Sequence, residues 1–158
     1  MNTVYVDGVY IGKAKNIGHG LLTDIDKEQV ARRLWLWPQG LGSDEHGDPR
    51  FHTGPERALH HYPAEHYAYW RKRYPQIDWC APAFGENLST HGMSEESVCL
   101  GDMFRWGGAL LQISQPRSPC YRLSHRWGLL DLPEQAQQTG RCGWFYRVQG
   151  AIYGNNLM

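Results

Sequence analysis

The sequence predicts a β-rich α+β domain folded around a barrel, and three observations indicate this class. Short runs rich in β-branched and aromatic residues recur along the chain, only two segments have the features of helices, and the intervening loops are long and polar. A chain of 158 residues supports one domain with a proper core. The sequence contains no repeat, linker or low-complexity tract, so residues 1–158 are expected to form a single domain.

The first third of the chain contains two strand signals and a loop. Residues 4–11 predict a hairpin, because an Asp-Gly pair between β-rich runs suits a type I′ turn. Residues 34–37, which read Leu-Trp-Leu-Trp, predict a short strand that Pro38 ends. Residues 40–54 are dense in Gly, Asp, His and Pro and therefore predict a loop.

Two segments predict helices. Residues 63–74 place Pro63 in the first turn, carry an acidic residue near their start and three cations near their end, and are stopped by Pro75. Residues 132–139 predict a shorter helix, with a proline early and Gly140 as the C-cap.

The remaining strands are expected in the second half of the chain. Residues 103–106 and 109–114 predict a hairpin around Gly107-Gly108. Residues 143–148, rich in aromatic residues, predict a late strand.

Composition excludes several classes of function. The chain has 16 basic and 16 acidic residues, so it lacks the electrostatic footprint of a protein that binds duplex nucleic acid. No apolar run approaches the ~20 residues of a membrane span, and the N-terminus lacks the regions of a signal peptide. The four cysteines are widely spaced with no CxxC pair, which fits reduced thiols in a cytoplasm.

The segment from Ser114 to Cys120 is the part of the chain best suited to chemistry. It reads Ser-Gln-Pro-Arg-Ser-Pro-Cys, and its two prolines restrict their own φ angles and bias the residues before them towards extended geometry. A thiolate aimed at a metal or an electrophile needs such a frame, whereas a packing cysteine does not. Arg117 cannot lose its charge, so it favours the thiolate form of Cys120 if it folds back. Taken alone, the loop also fits an inert core thiol.

Further motifs surround this loop. They read Phe-Gly-Glu-Asn-Leu-Ser-Thr at 84–90, Gly-Asp-Met-Phe-Arg-Trp at 101–106, Gln-Pro-Arg-Ser-Pro-Cys at 115–120 and, upstream, His-Thr-Gly-Pro-Glu-Arg-Ala-Leu-His-His-Tyr-Pro at 52–63. In this order they resemble the MOSC domain, which is named after the C-terminal part of molybdenum cofactor sulfurases. Within the family, the chain most resembles the bacterial branch that reduces hydroxylaminopurine. The resemblance covers roughly Gly40 to Tyr146.

The resemblance implies a β-barrel and a molybdenum cofactor, in which a pterin dithiolene carries the metal. Cys120 matches the cysteine that supplies a further ligand in such family members, and a soft thiolate suits this metal. The phosphate of the cofactor requires cations. Arg117 is the first candidate, because a guanidinium matches two phosphate oxygens at once, and Arg57 is the second. For Arg57, a solvated surface position is an equal alternative.

Three further residues are implied as cofactor contacts. Asn87 can donate and accept at once, as a pterin edge requires, although the residue type also suits a turn that enters a strand. Glu86 either accepts from the pterin or satisfies a neighbouring backbone group. His52 heads the His-Gly-Gly motif of the family, which here reads His-Thr-Gly, and Thr53 tolerates positive φ poorly.

The resemblance implies an enzyme that reduces small N-hydroxylated molecules such as hydroxylaminopurine, with a flavoprotein as electron donor. The alternative is a non-catalytic carrier of the cofactor or of sulfur, which uses Cys120 as a docking ligand or a persulfide. Three departures from the family pattern favour the carrier or an inactive relative. Ser43 replaces a glycine of a second motif, Thr53 replaces a glycine of the histidine motif, and the chain ends at Met158 without the C-terminal helical region of bacterial relatives. No lysine has the context of a Schiff-base site, which disfavours pyridoxal phosphate binding.

The other candidate residues receive structural interpretations. Cys99 lies in an apolar stretch and is predicted to be a core residue, and Cys80 and Cys142 are interpreted as incidental. The histidines at 60, 61 and 66 resemble a metal cluster at first sight, but no carboxylate pattern completes a zinc site. Two aromatic residues near the motifs are suited to stacking on a purine, although a core position is favoured for both: Trp106 and Tyr121.

Overall fold

The computed structural model describes residues 3–12, 15–16, 22–23, 27–32, 34–42, 54–149 and 156–157. Within these ranges the α-helices are α1 (His66–Arg73), α2 (Tyr121–Trp127) and α3 (Leu132–Gln138), and Pro55–Arg57 forms a 3-10 turn. The strands are β1 (Val6–Ile11), β2 (Lys15–Asn16), β3 (Leu22–Thr23), β4 (Glu28–Gln29), β5 (Leu34–Trp37), β6 (Gly40–Leu41), β7 (Leu59–Pro63), β8 (Leu88–Thr90), β9 (Met103–Trp106), β10 (Ala109–Pro116), β11 (Trp144–Gln149) and β12 (Asn156–Leu157).

Seven of these strands form one curled sheet in the order β4-β1-β8-β7-β11-β10-β9. Strands β7 and β8 run parallel, and the other neighbouring pairs run antiparallel. Strands β12, β5 and β6 form a smaller sheet, and β2 pairs with β3. This mostly-sheet half-barrel with three short helices confirms the predicted β-rich α+β class.

Strand β7 explains how the sheet supports two cores. All five of its residues are buried, which requires cover on both faces of the sheet. Because successive side chains point to opposite faces, Leu59 and His61 lie on one face, and His60 and Tyr62 lie on the other.

The two faces are covered by different kinds of side chain. The face of Leu59 packs on a largely aliphatic cluster, here called the barrel core: Leu34, Leu36, Leu41, Leu59, Leu88, Met93, Ala109, Leu111, Ile113, Trp144 and Tyr146. The face of Tyr62 packs on an aromatic cluster beneath the helices, here called the helix-side core: Tyr62, Tyr67, Trp70, Tyr74, Trp79, Ala83, Phe84, Leu123, Leu132 and Ala136.

Two local predictions near the N-terminal half are wrong. Residues 6–11 form one strand rather than a hairpin, and Asp7-Gly8 marks an irregularity in the pairing of β1 with β8 instead of a turn. A Cβ atom at Gly8 would collide with the ring of Tyr10, so glycine has a packing reason here. Helix α1 begins at His66 because Pro63 pairs with β8 as the last residue of β7.

The local predictions in the rest of the chain are mostly confirmed. Strand β5, the hairpin of β9 and β10, helix α3 and strand β11 occupy the predicted segments to within a few residues. Helix α2 is an addition that sequence patterns did not indicate. It ends at Gly128, which adopts a left-handed φ of +66°, and it directly follows Cys120.

Candidate functional site

Cys120 lies on the connection between β10 and α2, directly before the first residue of the helix. Its backbone is extended, with φ −119° and ψ 163°, and its carbonyl accepts a hydrogen bond of 3.1 Å from the amide of Leu123. The thiol is free and partly buried. Cys120 is therefore held between a strand and a helix, as expected for a thiol that must keep a fixed position.

Arg117 lies on the same connection. Its amide donates to the carbonyl of Gly143 at 3.0 Å, which continues the pairing of β10 with β11. Its guanidinium Nη1 is buried and has no hydrogen-bond partner among the described residues. The positive charge of Arg117 acts on the pKa values of four groups, namely His60, Tyr62, Glu86 and Cys142. Arg117 thus belongs to a buried cluster, in contrast to a solvated surface arginine.

Glu86 is fully buried beside this charge. One carboxylate oxygen accepts a hydrogen bond from the hydroxyl of Tyr67, and the other accepts from the amide of Phe84 at 3.3 Å. Burial raises the pKa of Glu86 to about 7, although the Tyr67 hydrogen bond and the charge of Arg117 oppose this rise. Near neutral pH, Glu86 therefore exists in both protonation states.

Asn87 bridges two strands of the sheet. Its Oδ1 accepts a hydrogen bond from the amide of His60 at 3.0 Å, and its Nδ2 donates to the carbonyl of Tyr10 at 3.1 Å. Backbone bonds of 2.8 Å on both sides reinforce the bridge. The side chain joins β7 to β1 through these bonds, and its contact with a pterin stays a prediction.

His60 is a site residue that sequence reasoning considered only as a metal ligand. Its side chain faces the helix side, where its ring centre lies 5.3 Å from that of Phe145. Burial lowers the pKa of His60 well below its ordinary value, and the charge of Arg117 lowers it further. The residue is only 5% exposed, and hydrogen bonds of its ring with the backbone of Cys142 and Gly85 oppose the lowering of this pKa. The useful signal in the sequence was the alternation of β7, which sends one of two adjacent histidines to each face.

Gly143 shapes the approach to His60. It adopts a φ of +72°, which side chains rarely tolerate. A Cβ atom there would lie 3.1 Å from His60 Nε2 and would collide with the carbonyl of His61. Glycine is therefore required both for the positive φ and for the close approach of this turn to His60 and His61.

Arg57 extends the same side of the sheet. Its guanidinium carbon lies 5.7 Å from the ring centre of Phe145, whose neighbours across the sheet are His60 and Gln115. Arg57 is partly buried in this contact. The predicted cofactor residue His52 lies outside the described residues, as do Ser43 and Thr53.

Two residues next to Cys120 add to the site. Arg122 is only 6% exposed, and its guanidinium carbon lies 5.3 Å from the ring centre of Tyr121. Sequence analysis did not single out this buried cation. Tyr121 is 50% exposed, so the favoured core position for it is wrong, whereas Trp106 packs against the barrel core as expected.

The remaining cysteines and histidines lie apart from the site or serve the fold. Cys99 is exposed, so its predicted core position is wrong: it lies in a turn, where its amide donates to the carboxylate of Asp102. The three histidines of the apparent metal cluster separate, because His66 pairs with Glu95 at 2.7 Å and His61 is enclosed in the barrel core. Within the described part of the chain, no three His, Cys, Asp or Glu side chains gather around a possible metal ion.

The described residues fit an anionic cofactor that is bound through sulfur. A partly buried thiol supplies one soft ligand, and the buried Nη1 of Arg117 has no hydrogen-bond partner among the described residues. Within the described ranges, no helix combines the length and the apolar character needed to cross a bilayer.

Comparisons with known proteins agree with the fold and with the family that the motifs resemble. The model of the MOSC domain matches residues 48–152. Protein YiiM of Escherichia coli is 48% identical over 146 residues, which are 91% of this chain and 65% of YiiM. A protein of Gibberella moniliformis named "Reductase" is 38% identical over 135 residues, covering 84% of this chain and 24% of that protein. The crystal structure of E. coli YiiM superposes with a TM-score of 0.78 at 42% identity, over 99% of this chain and 66% of that one.

Proposed function

The chain belongs to the MOSC domain family, and from this premise we propose that it is a molybdenum cofactor-dependent oxidoreductase that reduces N-hydroxylated compounds such as hydroxylaminopurine. The observation that carries the proposal is the position of Cys120 between β10 and α2, three residues after Arg117, whose buried Nη1 has no hydrogen-bond partner among the described residues. The fungal relative named a reductase supports the reaction type. The chain spans 65% of the length of E. coli YiiM, and the substrate is proposed from the resemblance of the motifs.

The proposal gives each site residue a role. Cys120 binds the metal through its thiolate, and Arg117 and Arg57 hold the phosphate of the cofactor. Asn87 and Glu86 contact the pterin or, through the bonds to β7 and Phe84, fix the residues that do. His52, which precedes the 3-10 turn in the sequence, is proposed to complete the set.

When bound, the cofactor supplies the two-electron chemistry that converts an N–OH group to N–H and water. The overall change consumes two electrons and two protons for each substrate molecule, so an electron donor is required, and we propose a flavoprotein. The residues of the chain hold the cofactor and limit the access of water to it, since Glu86 and His60 are buried and Arg117 is partly buried. A cytoplasmic location belongs to the same proposal.

Survival of a sensitive host tests the proposal. A bacterial strain without its own hydroxylaminopurine reductase should grow better on N-hydroxylated purines when it expresses the wild-type chain. Cys120→Ser should abolish this protection and the bound molybdenum, because it removes the only proposed protein ligand. Cys142→Ser is the matched control, since Cys142 is also a partly buried free thiol and should be dispensable. Equal protection by wild type and Cys120→Ser would refute metal-based reduction.

The same experiment distinguishes the proposed reductase from the alternative, a carrier of the cofactor or of sulfur. A chain that gives no protection, contains no molybdenum and carries a persulfide on Cys120 after exposure to a sulfur donor is a carrier. Molybdenum content per folded protein, measured by mass spectrometry of the metal, separates the two functions.

A further inference from the structure

Glu95 connects α1 with the turn before β11 through the two oxygens of one carboxylate. The residue lies in the loop between β8 and β9, and its side chain is 27% exposed. Its Oε2 lies 2.7 Å from Nε2 of His66, the first residue of α1. Its Oε1 accepts a hydrogen bond of 2.8 Å from the amide of Gly143, which directly precedes β11. One side chain therefore ties the start of the helix to the start of the strand.

The loop that carries Glu95 is itself held in place. The carboxylate of Glu65, directly before α1, accepts a hydrogen bond from the amide of Gly92. Ser97 closes the turn around Glu95, because its hydroxyl accepts from the amide of Ser94 at 3.0 Å and its own amide donates to the carbonyl of Ser94 at 2.9 Å. Glu95 therefore reaches the turn before β11 from a fixed base.

The carboxylate of Glu95 has a pKa below its ordinary value although it is partly buried. Burial raises this pKa, but the contact with His66 and the hydrogen bond from the amide of Gly143 outweigh the rise. The carboxylate is thus ionised at neutral pH, and hydrogen bonds to an ionised acceptor are stronger than those between neutral groups. The bond from Glu95 therefore holds firmly a glycine whose φ is +72°.

Gly143 also contacts the connection between β10 and α2. Its carbonyl accepts a hydrogen bond of 3.0 Å from the amide of Arg117, directly after the last paired residues of β10 and β11. Cys120 follows three residues later, at the start of α2. A series of hydrogen bonds thus runs from Glu95 through Gly143 to the connection that bears the two main candidate residues.

We propose that Glu95 is a positioning residue for the candidate site: through Gly143 it fixes the backbone of Arg117, and with it the connection on which Cys120 lies. Glu95 acts through the backbone and needs no contact with a cofactor or a substrate. Such a role matters, since a displacement of about 1 Å caused by a distant substitution can lower a rate about a hundredfold. The effect on cofactor binding rests on the proposed function, whereas the effect on the backbone does not.

Amide hydrogen exchange on the full-length chain without cofactor tests this role. In Glu95→Ala the amide of Gly143 should exchange roughly tenfold or more faster than in wild type, because it loses a hydrogen bond to a charged group. The amide of Arg117 should also exchange faster, because its acceptor is no longer fixed. Amides of the barrel core such as that of Ile113, which donates to another carbonyl, should keep their wild-type rates. Glu96→Ala is the matched control, because Glu96 is an exposed carboxylate on the next residue.

A conservative variant separates positioning from general stability. Glu95→Gln keeps an oxygen that can accept from Gly143, so it should restore slow exchange at both amides. Unchanged exchange at Arg117 in Glu95→Ala, faster exchange throughout the chain, or no rescue by Glu95→Gln would overturn the positioning role. If Glu95→Ala does not fold, His66→Phe replaces it, since it keeps a ring against Tyr62 and removes the contact with Oε2. Wild-type exchange at both amides in that variant would equally overturn the role.

Molybdenum content of the loaded chain connects the role to the proposed function. After dialysis, Glu95→Ala should have lost molybdenum that wild type, Glu95→Gln and Glu96→Ala retain. If the exchange rates change as expected but wild type contains no molybdenum, the proposed function fails and the positioning of the backbone stands. If Glu95→Ala retains its molybdenum and Cys120→Ser loses it, the proposed function stands and a role of Glu95 in cofactor binding is refuted.

Discussion

Two adjacent histidines on β7 have opposite surroundings. His61 points into the barrel core, where Nδ1 lies 2.9 Å from the hydroxyl of Tyr146 and Nε2 lies 2.7 Å from the hydroxyl of Thr90. His60 points to the helix side, where its ring has hydrogen bonds with backbone groups, those of Cys142 and Gly85. Both rings are buried, and burial lowers the pKa of both. The two histidines therefore differ in the kind of partner that the fold gives them, and burial does not distinguish them.

This difference in partners gives the two histidines different functions in the fold. The barrel core uses His61 as a hydrogen-bonded core residue between two hydroxyl groups, with Trp144 against its ring at 4.4 Å between centres. The helix side collects groups that carry or exchange charge, namely Arg117 and Glu86, around His60.

The largest expected effect is the loss of His61. His61→Ala leaves a cavity and two buried hydroxyl groups without their partner, so we expect the free energy of unfolding to fall by about 3–5 kcal/mol. His60→Phe should cost less, about 1–2 kcal/mol, because it keeps the ring contacts and loses only hydrogen bonds to the backbone. Urea denaturation measures both. Equal losses for the two substitutions would remove the distinction between the faces.

Glu86 should give the next largest effect, as a change of stability with pH. Its pKa is raised from 4.5 to about 7 in the folded chain, so its stabilising contribution is complete below pH 4.5 and is lost as the pH rises through 7. Between pH 5 and 8, wild type should lose roughly 2–3 kcal/mol that Glu86→Gln does not lose. The exposed Glu134→Gln on α3 is the control. Parallel curves for wild type and Glu86→Gln would contradict a protonated buried carboxyl.

His61 should give a smaller change of stability with pH, in which stability falls as the pH decreases. Its pKa is lowered from 6.5 to about 3, so the native state resists protonation that the unfolded chain accepts below pH 6.5. Stability is present above pH 6.5 and falls as the pH decreases towards 3. Between pH 7 and 5, wild type should lose about 2 kcal/mol more than His61→Gln, which cannot titrate. Thermal unfolding at several pH values measures the slopes, and identical slopes would mean that His61 is protonated in the fold.

Local patterns predicted the elements whose signals lie within a few residues. The hairpin of β9 and β10 follows its Gly-Gly turn, and α3 follows its early proline and terminal glycine. The hairpin predicted at the Asp-Gly pair of β1 does not form, because pairing with the distant β8 overrides the local turn preference. The helix predicted to begin at Pro63 begins later, because Pro63 pairs with β8 in the same sheet as the last residue of β7.

The candidate site residues also divide into those that local sequence patterns indicated and those that depend on contacts between distant elements. Cys120 and Arg117 were candidates from prolines and motif order; the structure places both on one connection, and their cofactor roles stay predictions. The partners of Glu86 and Asn87 come from other elements, so their bonds were not readable from the sequence. The role of His60 depends on which face of β7 it occupies and on the conformation of Gly143, and both are set by tertiary contacts.

The parallel pairing of β7 with β8 has a consequence for the order in which the site assembles. Parallel neighbours require a crossover, and here α1 and the segment after it must fold before Glu86 and Asn87 reach His60. Contacts between residues far apart in sequence form slowly, because the intervening chain must first lose its freedom. The bonds that Asn87 makes to β7 and β1 therefore depend on a complete crossover, so a change within residues 64–87 can disturb them without touching either strand.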